Sequence, residues 1–380
     1  MRYHWFSTVY LPFINIPIIT REWSSWKGII TGFVPLGICL VAVMQWRTYR
    51  KLSNKRSANQ WEISFYCSLP LRTFSRCWGW LADKQVPKWI RPYMYGLYSF
   101  TFGVNLSEAA NEDYTSYRSL ADFFCRPLKN GLRVIDQNSS LVSPCDGTVL
   151  HFGTVNSGNI EQVKGVTYTL ENFLGDNISY KNVNTEVNKS YQNSLLHNKL
   201  ENSRLYHCVI YLAPGDYHRF HSPTDWQPSL RRHFSGQLLS VNPEIARWLP
   251  GLFCINERAI YIGRWAYGFF SMAAIGATNV GSIKIYCDKW LQTNQPKYKQ
   301  GQMCRDKCLG SNAHFLKGDP FGEFRMGSTI VLIFEAPLNF QFNLVPGQKV
   351  KMGESICCTT KEKHVDRVYK PQRTETINVS

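Results

Sequence analysis

Two histidines and an aspartate follow a predicted strand, at a point where functional loops commonly lie. In YLAPGDYHRFHSP (211–223) the apolar run is followed by Asp216, His218 and His221. A turn at Pro214-Gly215 would bring both imidazoles to one side. Imidazoles near a carboxylate can transfer protons, but the same pattern also fits structural histidines or half of a metal site.

A carboxylate and a hydroxyl in two other turns could complete a nucleophilic arrangement. SPCDG (143–147) supplies Asp146, and FRMGSTIVLIFE (324–335) supplies Ser328 directly after Gly327. An aspartate can orient a histidine that takes the proton of an attacking serine. Asp-Gly is also an ordinary turn dipeptide. Because no G-x-S-x-G motif occurs, the sequence does not predict an ordinary α/β-hydrolase.

The elements that must position these residues change in type along the chain. Residues 62–130 read as helical, with an N-cap-like Ser107 followed by acids. From residue 141 onward, short β-branched runs alternate with turn residues, which is typical of antiparallel sheets. The predicted fold class is α+β: an N-terminal membrane anchor and helical segment, then a mainly antiparallel β domain with sandwich- or barrel-like sheets. The predicted strands include GTVLHFGTV, YHCVIYLAP, GSIKIYC and STIVLIFEA.

The N-terminal part predicts attachment to a membrane. Residues 28–46 contain no charged side chain, and this length spans a bilayer core as one transmembrane helix. Residues 1–27 are a possible mitochondrial targeting segment, residues 47–61 a basic linker, and residues 62–380 the catalytic domain. The basic run at 47–56 favours the matrix or cytosolic side for the catalytic domain.

Composition limits the partners and cofactors. The 380 residues carry a net charge of +16, which favours an anionic partner. No nucleic-acid-binding motif accompanies this charge, so an acidic membrane surface is preferred. Twelve cysteines occur without a C-x-x-C pair, so no metal site is predicted.

Eight blocks, in the same order and at sensible spacing, resemble the phosphatidylserine decarboxylase family. A single Gly-Ser-Thr has little meaning, whereas ordered blocks across residues 80–355 are specific. The blocks are YRSLADFFCRPLKNGLRVID, SPCDGTV, QVKGVTYTLENFLG, YLAPGDYHRFHSP, HFSGQLLSVNP, NERAIYIG, GATNVGSI and FRMGSTIVLIFE. Pro320 departs from the family, which usually has an acid there.

The resemblance implies an enzyme that makes its own cofactor. Members cut themselves at the Gly-Ser bond, here Gly327-Ser328, and convert the serine to an N-terminal pyruvoyl group. The products would be a β chain of residues 1–327, before presequence removal, and an α chain of residues 328–380, held together as a heterodimer. The pyruvoyl group would form a Schiff base with phosphatidylserine and release CO2 to give phosphatidylethanolamine. The resemblance thus implies a pyruvoyl-dependent carboxy-lyase.

The resemblance also implies roles for the polar residues. His221 with Asp146 would be the base that activates Ser328. His218 would handle the substrate carboxylate or return the proton, with Asp216 as a supporting carboxylate. Gly327 suits the cut because glycine permits a strained turn that a side chain would block.

The expected partner is phosphatidylserine in an anionic membrane. Residues 80–105 are the candidate docking surface, with Trp89, Ile90, Tyr93, Met94 and Tyr95; the alternative is an amphipathic helix packed on the β domain. Members with one N-terminal span lie in the mitochondrial inner membrane, with the catalytic domain facing the intermembrane space. The basic run at 47–56 argues against this orientation. No nucleic acid is expected, and a homodimer is left open.

Two other functions fit the bare residues. One is a membrane-anchored serine hydrolase that uses Ser328, His221 and Asp146. The other is a non-enzymatic module that binds anionic lipid. Both predict one intact chain, whereas the decarboxylase predicts two chains and a ketone.

Overall fold

The helices lie in the N-terminal part of the described chain and in the connections between strands. The structure is a computed structural model, and it describes residues 57–175, 191–196, 203–278, 282–296, 304–310, 313–325 and 327–358. Its helices are α1 (Gln60–Ser68), α2 (Leu71–Ala82), α3 (Arg91–Phe102), α4 (Leu120–Phe124), α5 (Leu170–Leu174), α6 (Pro243–Trp248) and α7 (Leu252–Ile255). Two 3-10 turns lie at Leu106–Glu108 and Tyr114–Ser116.

The described residues also form thirteen strands. They are β1 (Gly147–Thr154), β2 (Asn159–Val163), β3 (Val166–Thr169), β4 (Ser203–Leu212), β5 (Arg219–His221), β6 (Trp226–Phe234), β7 (Arg258–Trp265), β8 (Gly268–Ile275), β9 (Ser282–Ile285), β10 (Arg305–Cys308), β11 (Pro320–Arg325), β12 (Ser328–Pro337) and β13 (Lys349–Val350). The four runs predicted as strands from the sequence are all confirmed.

The strands form one large antiparallel sheet and two small ones. The large sheet has the order β10-β6-β7-β8-β12-β4-β1-β13, and the small sheets are β5-β11-β9 and β2-β3. Strand β12 is central, because it pairs with β4 along its whole length and with β8 on the other side. The α+β class with mainly antiparallel sheets is therefore confirmed.

Both faces of the large sheet are covered. Along β12, Val331 and Ile333 point into a core shared with the β2-β3 ribbon and helices α5 to α7. Ile330, Leu332 and Phe334 point into a second core shared with the β5-β11-β9 sheet. Alternate side chains of a strand point to opposite faces, so burial on both faces explains the continuous apolar run of β12.

Two N-terminal predictions have different outcomes. The predicted N-cap at Ser107 is wrong: the caps are Asn105, Asp113 and Ser119, each of which accepts a hydrogen bond from a backbone N–H of its own turn. The predicted transmembrane helix 28–46 lies outside the described residues. Within the described ranges, no helix has the length and hydropathy needed to span a bilayer.

Candidate active site

Strand pairing brings the predicted nucleophile next to the loop that carries the histidines. Ser328 is the first residue of β12 and pairs with Leu212, the last residue of β4. The chain continues from Leu212 into residues 213–218. The two segments are more than 100 positions apart in sequence, and their proximity depends on the register of β12 against β4.

The loop after β4 begins with the predicted turn. The Asp216 N–H donates to the Ala213 carbonyl oxygen at 2.9 Å, and the Ala213 N–H donates to Asp216 Oδ2 at 2.8 Å. Gly215 is required here, since a Cβ at this position would lie 2.1 Å from the backbone oxygen of Phe102. Burial raises the pKa of the Asp216 carboxyl. Asp216 therefore supports the turn that leads to the histidines.

His218 is a buried, neutral base with a free lone pair. Its Nδ1–H donates to the Asp216 carbonyl oxygen at 2.8 Å, which leaves the lone pair on Nε2. No described group hydrogen-bonds to this Nε2 atom. Burial lowers the pKa of His218 to about 3, and the Phe124 ring packs on the imidazole at a centroid distance of 3.9 Å. The ring is thus held in one tautomer and stays uncharged at neutral pH.

His221 lies in different surroundings, so the prediction that both imidazoles share one side is not supported by their contacts. Its Nδ1–H donates to the Gly318 carbonyl oxygen at 2.9 Å. Its Nε2 accepts from the Tyr217 hydroxyl at 3.0 Å. Burial lowers the pKa of His221 as well. Unlike that of His218, the lone pair of His221 is occupied.

Asp146 lies beside His221 but forms its hydrogen bonds elsewhere. The backbone N–H of His221 donates to the Pro144 carbonyl oxygen, which places strand β5 against the Asp146 turn. The Asp146 carboxylate accepts from Nε and Nη2 of Arg133 and from the Met352 N–H at 2.9 Å. Its charge raises the pKa of His221, although burial prevails. Asp146 therefore acts on His221 through its charge, with no direct hydrogen bond in this arrangement.

Ser328 is a buried hydroxyl without a partner among the described residues. It is 0% exposed, and neither its Oγ nor the Oγ1 of Thr329 has a hydrogen-bond partner. Buried polar groups are normally satisfied, and those that are not call for an explanation such as catalysis. His218 Nε2, in the loop after β4, is a further unsatisfied polar atom, whereas Thr329 follows Ser328 in β12 and its side chain points to the opposite face of the sheet.

The steric reason expected for Gly327 is wrong. A Cβ at Gly327 would meet no atom within 4 Å, and Gly327 is not among the glycines with positive φ. Gly327 itself is only partly buried.

Sequence reasoning missed two partners of the predicted residues. Arg133, which binds Asp146, and Tyr217, which binds His221, both lie inside blocks that carried the family resemblance. That position was the only available signal. Within the described chain, no cluster of three or more His, Cys, Asp and Glu could hold a metal ion. A surface pocket of about 280 Å³ lined by Arg76, Trp80 and Arg325 contains none of the predicted catalytic side chains.

The fold and the site together define a class of protein. In the uncut chain Ser328 is fully buried at the head of a central strand, so its hydroxyl is closed to an external substrate before the chain is cut. The Gly327 carbonyl, by contrast, is covalently adjacent to this serine. The arrangement favours a proenzyme whose serine reacts with its own backbone over a serine hydrolase.

Comparison with known proteins identifies the family. The family model for phosphatidylserine decarboxylase matches residues 120–358. The mitochondrial phosphatidylserine decarboxylase proenzyme of Cricetulus griseus is 50% identical over 309 residues, covering 79% of this chain and 74% of that protein. The proenzyme 1 of Schizosaccharomyces pombe is 38% identical, covering 85% and 89%. That of Arabidopsis thaliana is 41% identical, covering 78% and 74%. This chain belongs to the phosphatidylserine decarboxylase family, and the resemblance predicted from the sequence is confirmed.

Proposed function

We propose that this protein is a self-processing decarboxylase that converts phosphatidylserine to phosphatidylethanolamine. The observation that carries the proposal is the buried Ser328 hydroxyl, which has no partner among the described residues and directly follows Gly327. Family membership supplies the substrate class, and the relatives are named as proenzymes.

The first reaction involves only residues of this chain. Ser328 Oγ loses its proton to a histidine and attacks the Gly327 carbonyl carbon, which converts the peptide bond to an ester. Loss of the Cα proton of Ser328 and elimination across Cα–Cβ then release Gly327 as a carboxylate. Hydrolysis of the remaining enamine gives a pyruvoyl group and ammonia. The chain thereby divides into residues 1–327 and 328–380.

His221 with Asp146 is retained as the base for this step, under one condition that the geometry imposes. The Nε2 lone pair of His221 accepts from Tyr217, so the base must act through that hydroxyl or after it turns away. When the neutral His221 takes up this proton, the nearby Asp146 carboxylate stabilises the imidazolium that forms. The free Nε2 of His218 is then available for the substrate.

The surroundings fit a pyruvoyl group at position 328. The group would replace a buried hydroxyl that has no hydrogen bond to lose, and the pairing of Ser328 with Leu212 holds the position in place. Once formed, it supplies an electron sink for the pair released as CO2 leaves. The Nε2 lone pair of neutral His218 can accept a proton and return it to Cα; because this atom accepts rather than donates, it does not fit the substrate carboxylate. Asp216 fixes the His218 loop.

The helices beside the site support contact with a membrane. Around α3 the large apolar side chains Trp89, Tyr93, Leu97 and Phe100 are exposed, and Tyr98 of the same helix donates to the Pro214 carbonyl oxygen in the loop after β4. Tyr95 does not belong to this surface, because it is fully buried against Phe123. One face of α3 is thus packed and the opposite face is free for lipid.

The relatives indicate the location. The names of the relatives from Cricetulus griseus, Schizosaccharomyces pombe and Arabidopsis thaliana place them in mitochondria. We place this protein in the mitochondrial inner membrane through a single span at 28–46, with residues 62–380 facing the intermembrane space.

The test is the mass of the purified full-length protein and of a Ser328→Ala variant. The native protein is expected to give two chains, with the one that begins at position 328 reactive toward hydroxylamine. Ser328→Ala is expected to remain a single chain. The matched control is Ser271→Ala, which removes another buried hydroxyl of the same sheet and is expected to be cut. An uncut native protein, or fragments from Ser328→Ala, would contradict the proposal.

A further inference from the structure

An incompletely paired cation is buried beside the loop that carries His218. Arg126 is 3% exposed, and its Nη2 group donates to the Gly215 carbonyl oxygen at 2.9 Å. Its Nε and Nη1 groups have no hydrogen-bond partner. Burial lowers the pKa of this guanidinium, but arginine stays protonated in proteins. The site therefore contains a buried positive charge with unfilled donors.

Within the described residues, no carboxylate forms an ion pair with Arg126. The charges of Asp146 and Glu108 act on its guanidinium, yet both carboxylates bind Arg133 instead. A buried charge without a partner is destabilising. An anion that enters from outside the chain would satisfy both the charge and the free donors.

The position of the Arg126 guanidinium indicates which anion it binds. It lies 5.7 Å from the centroid of the Phe123 ring, and Phe123 stacks on Tyr95 of α3 at 4.9 Å. On its other side it contacts Gly215, next to Pro214, to which Tyr98 of α3 is bonded. Arg126 is thus placed between the His218 loop and the helix whose outer face is apolar and exposed.

We infer that Arg126 binds the phosphodiester of the phospholipid headgroup and so positions the serine moiety at residue 328. The inference rests on the proposed function. In phosphatidylserine the phosphodiester lies between the serine group and the acyl chains, which matches the place of Arg126 between the reactive loop and α3. Arginine forms strong charge-assisted hydrogen bonds to phosphate.

The substrate carboxylate is the less suitable ligand for Arg126. A carboxylate loses its charge as CO2 departs, so a fixed cation on it would stabilise the ground state more than the transition state. The phosphodiester keeps its charge throughout the reaction. Binding it adds affinity without raising the barrier.

The experiment compares Arg126→Met and Arg126→Lys with the native full-length protein. Methionine fills a similar volume without donors, and lysine keeps the charge but not the guanidinium geometry. Both are expected to cleave themselves. For Arg126→Met, KM for phosphatidylserine in micelles is expected to rise about tenfold or more, the typical effect of a lost charge-assisted hydrogen bond, with a smaller change in kcat. The KM of Arg126→Lys is expected to fall between that of the native protein and that of Arg126→Met.

A product-like inhibitor distinguishes the phosphodiester from the carboxylate. Glycerophosphoethanolamine has the phosphodiester and lacks the carboxylate, so its inhibition constant should rise in Arg126→Met by the same factor as KM. An unchanged inhibition constant with a raised KM would assign Arg126 to the carboxylate and overturn the inference. A lower kcat with unchanged KM, or an uncut Arg126→Lys, would make Arg126 a support of the loop, which also overturns it. A native protein that is cut but inactive on phosphatidylserine would refute the proposed function itself, whereas native activity with unchanged variants would refute only the role of Arg126.

Discussion

At the scale of single residues, two histidines three positions apart differ in which ring nitrogens are free to react. His218 is neutral, held by the carbonyl of Asp216, and has a free Nε2 lone pair. His221 has both ring nitrogens occupied, by Gly318 and Tyr217. The backbone and one phenol decide which imidazole is available at once and which must first be released.

The division of labour between the histidines predicts two different failures. His221→Ala should remain uncut, because it lacks the base for Ser328. His218→Ala should be cut but lose decarboxylation by about 10²- to 10⁴-fold, the usual contribution of a general acid or base. Intact mass measures the first effect and release of CO2 from labelled phosphatidylserine the second.

Tyr217→Phe is the matched control for this pair. It removes the hydroxyl that occupies His221 Nε2 while keeping the ring, so cleavage is expected at the native rate or faster. Loss of cleavage in Tyr217→Phe would show that the proton passes through the phenol. If His218→Ala stayed uncut while His221→Ala was cut, the two roles would be exchanged.

At the scale of elements, helix α3 joins the reactive loop to the exposed apolar surface. Its inner face supplies Tyr95 and Tyr98, which pack on Phe123, and its outer face exposes Tyr93, Leu97 and Phe100. Each large apolar side chain buried in lipid contributes about 1.5 to 3 kcal/mol. On the proposed membrane contact, the outer face of α3 would orient the domain on a bilayer.

The docking role of α3 predicts a substrate-dependent defect. Leu97→Glu with Phe100→Glu should lower kcat/KM about tenfold or more on phosphatidylserine in vesicles, because two apolar contacts are replaced by charges. Activity on a short-chain phosphatidylserine dispersed as monomers should be unchanged. Leu338→Glu is the control, since Leu338 is also exposed but follows the opposite end of β12. A defect of equal size on both substrates would show that α3 supports the fold rather than the membrane contact.

The sequence predicted the strands better than the contacts of the candidate site residues. Apolar β-branched runs such as that of β12 are local signals, so their strands were found. The partners of Asp146 include Arg133 and Met352, and those of His221 include Gly318. Contacts such as the last two are set by packing of segments far apart in sequence, and no local pattern contains them. The same reason explains why Tyr95 was assigned to the exposed face of α3 although it is buried.

At the scale of the whole molecule, the catalytic domain contains two buried histidines that resist protonation. Burial lowers the pKa of His207 to about 3, as it does for His218. His207 lies in β4 and contacts His151, which in turn binds Glu161. In the unfolded chain both imidazoles would titrate near 6.5. Below that pH the unfolded state binds protons at these two histidines, whereas the folded state does not.

This difference predicts acid instability with a defined sign. Stability from each histidine is complete above pH 6.5 and is lost as the pH falls toward 3, at up to about 1.4 kcal/mol per pH unit for each group. The melting temperature of the full-length protein in detergent should therefore fall between pH 7 and pH 5. His207→Phe, which cannot titrate, should show a shallower fall. A melting temperature that rises on acidification, or an identical slope in the variant, would contradict the assignment.

The central place of β12 has a consequence for how long each molecule works. A cofactor that diffuses in can be replaced when it is spoiled, whereas a keto group made from residue 328 is part of a strand clasped by β4 and β8. It cannot leave, and nothing in solution can substitute for it. On the proposed chemistry, a molecule whose keto group is once converted to an amine by a misdirected proton is inactive for good, so only new synthesis restores it.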